Sequence, residues 1–84
     1  MKNEIIKILL VDDEPDILEI VGYHLKKEKY QVFTASNVKE AVSNAQKVEP
    51  HLILLDIMMP EMDGIEACEK IRSIKGLENV LIAF

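Results

Sequence analysis

Three acidic residues stand where two short apolar runs end. Asp12 and Asp13 follow the run 7–11, and Asp56 follows the run 52–55. Apart from Lys7 both runs are apolar. Short apolar runs of this kind indicate strands covered on both faces of a parallel sheet, and ligands bind at the carboxyl ends of such strands. In neighbouring strands, about 4.8 Å apart, carboxylates about 4 Å from one another repel by about 4 kcal/mol at an effective dielectric of about 20. The cluster therefore predicts a divalent cation site, a shared proton, or both.

The composition indicates one small acidic globular domain. The chain has 84 residues, of which 49% are hydrophobic, and its net charge is -5. We predict no direct nucleic-acid binding and no membrane association, because both need a basic surface. Cys68 is the single cysteine, so an internal disulfide framework is excluded. With no signal-peptide pattern, the predicted location is cytoplasmic.

The hydrophobic pattern alternates between strands and helices. Asn37, with Glu40 three residues later, predicts a capping box, and Gly76 is placed for a left-handed helix cap. Leu18, Val21 and Leu25 form a predicted core stripe on the first helix. The predicted elements are strands at 6–11, 30–35, 52–56 and from 80 onward, with helices from Pro15, after Asn37 as far as Pro50, and at 65–74.

Strands alternating with helices through short connections predict a parallel sheet with right-handed crossovers. The two strands that carry the acids end side by side only if they are adjacent. We therefore predict an α/β, doubly wound, flavodoxin-like fold with strand order 2-1-3-4, which places the switch point between the first and third strands.

Two stretches of this sequence resemble the receiver domain of bacterial two-component response regulators. They are VDDEP at 11–15 and DIMMPEMDG at 56–64, and the resemblance runs through the whole chain. It implies that Asp56 accepts a phosphoryl group from a phosphohistidine on a sensor histidine kinase. It also implies that Asp13 and Asp56 are Mg²⁺ ligands and that Asp12 acts through water. The backbone carbonyl of Met58 completes the implied metal shell.

The implied chemistry is phosphoacceptor chemistry rather than enzyme turnover, with at most weak self-catalysed phosphotransfer and dephosphorylation. A carboxylate is a weak nucleophile, but phosphoryl transfer depends mostly on positioning and charge neutralisation. Mg²⁺ prefers oxygen ligands and keeps several waters, so it suits an acidic cluster of this kind.

Two other functions fit part of the pattern. A Mg²⁺-dependent phosphohydrolase would use Asp56 as a covalent nucleophile. Such hydrolases usually have a second acidic residue two positions later, and here that position is Met58. A non-catalytic interaction or sequestering stub would need no phosphorylation at all. A calcium loop starting at Asp12 is excluded, because its sixth position is Ile17 rather than glycine.

Receivers of this family continue beyond a fourth strand with a helix, a strand and a further helix. They place a Thr or Ser just past that strand and a Lys at the end of a fifth strand, whereas Phe84 is the last residue here. We therefore expect residues 1–84 to form a partial receiver, with apolar surface uncovered at a cost on the order of 10 kcal/mol. We also expect self-association through the fourth strand and the uncovered sheet face.

Overall fold

The computed structural model describes residues 5–55 and 64–83, with side chains omitted for 64–67. The strands are β1 (Lys7–Val11), β2 (Gln31–Ala35), β3 (Leu52–Leu55) and β4 (Leu81–Ala83). The helices are α1 (Pro15–Lys27), α2 (Val38–Val48) and α3 (Gly64–Arg72). The strands form one parallel sheet in the order β2-β1-β3-β4, which confirms the predicted fold.

The main core lies between the sheet and the α2–α3 layer. Leu9, Val11, Ile53 and Leu55 point to this side, and Ile71 of α3 is fully buried against them. The remaining buried members of this cluster are Ala35, Ala41, Ala45 and Leu77. Alternate residues of β1 and β3 therefore face α2 and α3, as the two-residue period of a strand requires.

The opposite face of the sheet is covered unevenly. Helix α1 packs against β1 and β2, and Ile8 and Leu10 are buried there. Leu52 and Leu54 of β3 are only half-buried. The predicted burial on both faces is thus correct for β1 and wrong for β3, because α1 lies over the β1–β2 side of the sheet.

The predicted stripe on α1 is also less buried than expected. Leu18, Val21 and Leu25 are half-buried, and Gly22 is the buried residue of this helix. Ile20 on the outer side is 55% exposed. The helical period correctly predicted which face of α1 packs on the sheet. That face is wider than the part of the sheet beneath it, so the stripe residues are only half-buried.

Local signals set the helix ends. Asn37 Oδ1 accepts the Glu40 backbone N–H at 2.8 Å, as the capping box predicts. The return bond is shifted by one residue, because the Glu40 carboxylate accepts from Ser36 rather than from Asn37. Helix α2 ends before Pro50, with Glu49 in the left-handed region at φ 53°. Gly76 has the predicted positive φ, at 96°, but it lies in the turn beyond α3 rather than directly at the helix end.

Candidate functional site

The sheet register brings the carboxyl ends of three strands together. Val11, the last residue of β1, is paired with Ala35 at the end of β2 and with Leu55 at the end of β3. The pairing continues for one more residue, because the Asp12 backbone N–H donates to the Ala35 carbonyl at 3.1 Å. The first acidic residue is therefore held at the edge of the sheet by its own backbone.

Asp12 is the buried charged residue of the described part of the chain, with 8% of its surface exposed. Its Oδ1 accepts the backbone N–H of Glu14 at 2.9 Å. This short-range bond turns the chain from β1 towards Pro15, the first residue of α1, as Asp side chains commonly do in turns. Asp12 is thus fixed from both its backbone and its side chain.

Three carboxylates meet at this turn. Asp12, Asp13 and Glu14 each offer an oxygen, and these oxygens lie within 4.8 Å of one another. Asp13 and Glu14 are exposed, so water reaches the group from one side. We call these three residues the acidic triad.

The donor chemistry of the acidic triad fits Mg²⁺. The ion takes hard oxygen ligands at about 2.0–2.1 Å and retains waters. Opposite ligands of an octahedral ion are therefore about 4.2 Å apart. The oxygens of the acidic triad lie within 4.8 Å of one another, which is a similar separation. The acidic triad is therefore compatible with Mg²⁺.

The structure places Asp12 and Asp13 in one cluster and adds Glu14, the next residue of the acidic run. Glu14 does stand at the N-cap of α1, but its side chain makes no capping hydrogen bond. The sequence feature that could have identified Glu14 as a site residue is its place in the acidic run 12–14. Acidic residues are also favoured at helix N-termini, so this feature was not specific. Asp56 and Met58 lie outside the described residues.

The Glu40 carboxylate holds the end of the neighbouring strand β2. The Glu40 carboxylate accepts the Ser36 backbone N–H at 2.8 Å and the Ser36 hydroxyl at 2.9 Å. These hydrogen bonds lower the pKa of Glu40 from its ordinary value of 4.5, and the bond from the Ser36 backbone N–H has the largest effect. Since Ser36 directly follows Ala35, the bonds hold the strand end that accepts the Asp12 N–H.

Residues 8–83 match the response regulator receiver domain family. The chain belongs to this family. Apart from Lys7 at the start of β1, the match takes in every strand and helix of the described residues. The acidic triad therefore occupies the carboxyl edge of a receiver sheet. Receiver domains belong to two-component signalling.

Known receivers resemble the chain in both sequence and structure. It is 43% identical over 76 residues to the alkaline phosphatase synthesis transcriptional regulatory protein PhoP of Bacillus subtilis. The chemotaxis response regulator CheY4 of Vibrio cholerae superposes with a TM-score of 0.87 at 33% identity, covering 94% of this chain. The response regulator TrrA, solved in complex with the histidine kinase ThkA, gives a TM-score of 0.80 at 37% identity over 93% of this chain.

The chain spans only part of these relatives. It covers 32% of PhoP, and 66% of both the CheY4 chain and the matched chain of the ThkA–TrrA complex. Among the helices of the described residues, none combines the length and the apolar character needed to cross a bilayer.

Proposed function

We propose that this receiver accepts a phosphoryl group on Asp56 from a phosphohistidine of a sensor histidine kinase, in a reaction that requires Mg²⁺. The main support is the register that pairs Val11 with Leu55. These two residues directly precede Asp12 and Asp56 in the sequence. The family and the kinase-bound relative TrrA support the same reaction class.

The proposed phosphoryl transfer needs no reactant other than the phosphohistidine and Asp56. A carboxylate oxygen of Asp56 attacks the phosphorus, the new O–P bond forms, and the N–P bond of the phosphohistidine breaks. The imidazole leaves with the electron pair and takes up a proton from solvent. Catalysis of such a step comes mainly from positioning and charge neutralisation.

The acidic triad has a defined part in this proposal. Asp13 and Asp56 would hold Mg²⁺ directly and Asp12 would hold it through water, with the backbone carbonyl of Met58 as a further ligand. Mg²⁺, when bound, supplies the positive charge that offsets charge on the phosphoryl oxygens. Asp12 is pre-positioned by its bonds to Glu14 and Ala35, so little ordering is needed when the ion binds.

Phosphorylation by acetyl phosphate tests the proposal directly. We expect intact mass to rise by one phosphoryl group in Mg²⁺ and to stay unchanged in excess EDTA. Asp56→Asn should abolish the gain, and Asp13→Asn should strongly reduce it. Asp16→Asn is the matched control, because this exposed residue of α1 stands outside the acidic triad.

Labelling that persists in EDTA or in Asp56→Asn would contradict the proposal. The alternatives give different results in the same assay. A sequestering stub would show no gain in mass and would keep its sequestering activity in Asp56→Asn. A phosphohydrolase would release inorganic phosphate with repeated turnover.

We also propose that the 84-residue polypeptide associates with itself through β4 and the adjacent sheet face. Leu81 of β4 is 69% exposed, and Leu52 and Leu54 beside it are half-buried. Exposed apolar edge strands tend to pair with other chains. Sedimentation should show a mass that increases with concentration, and Leu81→Lys should reduce it. A monomer at every concentration would refute this contact.

A further inference from the structure

A groove lies between α2 and α3, and none of its lining residues belongs to the acidic triad. Its volume is about 520 Å³, within the range of about 300–1,000 Å³ usual for small-molecule sites. The lining residues are Val38, Lys39, Val42, Ser43, Gln46 and Lys70. We call this feature the α2–α3 groove.

The floor of the α2–α3 groove is apolar. Val38 and Val42 are one helical turn apart on α2, and both are half-buried while packing on the core cluster. Their remaining surface faces the groove. An apolar group placed there would leave water without displacing any core side chain, which is favourable.

The sides of the groove are basic. Lys39 comes from α2 and Lys70 from α3, and both residues are exposed. The whole chain carries a net charge of -5, so this pair of lysines beside an apolar floor is a local reversal of the overall charge. An anion between them would be attracted by both ammonium groups.

We propose that the α2–α3 groove binds a small amphipathic carboxylate. Its apolar chain lies over Val38 and Val42, and its carboxylate lies between Lys39 and Lys70. The Ser43 hydroxyl and the Gln46 amide are further polar groups in the lining. The apolar floor favours an amphipathic anion over inorganic phosphate, and the two lysines disfavour a cationic amphiphile of the same length.

Two probes with the same chain and opposite charge test this assignment. Octanoate and octylammonium are titrated separately into ¹⁵N-labelled protein at neutral pH, and backbone amide shifts are followed by NMR. We expect octanoate to give saturable shifts at residues 38–46 and near Lys70. Because the net charge of the chain attracts cations, a preference for octanoate at this place has to come from the local lysines.

Two charge-reversal variants separate the groove from the rest of the surface. Lys39→Glu with Lys70→Glu should weaken octanoate binding by about tenfold, since two attractions become repulsions. Lys26→Glu with Lys27→Glu makes the same change in net charge on α1 and should leave affinity within about twofold. Lys39→Gln with Lys70→Gln provides a milder groove variant, and circular dichroism checks that all variants are folded.

Several results would overturn the assignment. They are equal binding of octylammonium in the groove, equal weakening by the α1 variant, and no saturable shift with octanoate. Octanoate shifts centred on Leu54 and Leu81 would place binding on the exposed sheet face instead.

Discussion

Lys7 and His51 form a reciprocal pair at the amino edge of β1 and β3. The Lys7 backbone N–H donates to His51 Nδ1 at 2.9 Å, and the His51 backbone N–H donates to the Lys7 carbonyl at 2.9 Å. The Lys7 ammonium also donates to the Val48 carbonyl at 2.8 Å, at the end of α2. This pair closes the end of the sheet opposite to the acidic triad.

Replacing His51 by Ala should lower the free energy of unfolding by about 1 kcal/mol, because the Lys7 N–H loses its acceptor. Urea denaturation measures the change. His51→Asn is the control, since its Oδ1 occupies a position similar to Nδ1 and can accept the same bond. Equal losses in both variants would mean that the hydrogen bond is not the cause.

Glu40 should make stability depend on pH in the acid range. Its pKa is lowered in the folded chain by the Ser36 hydrogen bonds, so the folded state binds the proton more weakly than the unfolded state. The stabilisation is present above about pH 4.5 and is lost as pH falls through the folded pKa. Glu40→Gln should therefore flatten the dependence of the melting temperature on pH below about 5.

The control for this prediction is Glu19→Gln, on the exposed side of α1. It should leave the acid-range slope close to that of the parent chain. A Glu40→Gln profile parallel to the parent profile would show that the Ser36 bonds do not persist in solution.

Ile71 should anchor α3 to the sheet. Its side chain is fully buried, so Ile71→Ala should cost about 2–5 kcal/mol and Ile71→Val about 0.5–1.5 kcal/mol. Ile20→Ala on α1 removes the same atoms from a residue that is 55% exposed, and should cost less than about 0.5 kcal/mol. The urea midpoints of the three variants measure this order of stability loss. A larger loss for Ile20→Ala than for Ile71→Ala would contradict the packing of α3 on the core.

Cys68 should react slowly with a thiol reagent in the folded chain. Burial raises the pKa of its thiol, while the charge of Arg72 lowers it and that of Glu69 raises it by smaller amounts. A higher pKa means less thiolate near pH 8 and a slower reaction than in urea. Arg72→Gln should slow the folded reaction further, and Arg72→Lys should not. Equal rates in folded and unfolded chains would contradict the burial of this thiol.

Arg72 also illustrates a contact that the sequence did not reveal. Its Nη1 donates to the carbonyls of Glu78 and Val80, at 3.1 and 2.9 Å. These bonds join the end of α3 to the approach to β4. An exposed arginine near a helix C-terminus is equally well explained by the helix dipole, so its sequence position carried no specific prediction.

The sequence by itself determined the alternation of strands and helices, the burial of β1 and the capping of α2 by Asn37. Each depends on residues a few positions apart, whose apolar period or capping chemistry is local. The strand order also followed from sequence, because the acidic residues at 12, 13 and 56 made adjacency of β1 and β3 the simplest arrangement. Tertiary structure alone decided that His51 pairs with Lys7 and that one face of β3 is only half-buried. These features depend on register and on where α1 crosses the sheet, and a linear pattern does not specify distances between segments far apart in the chain.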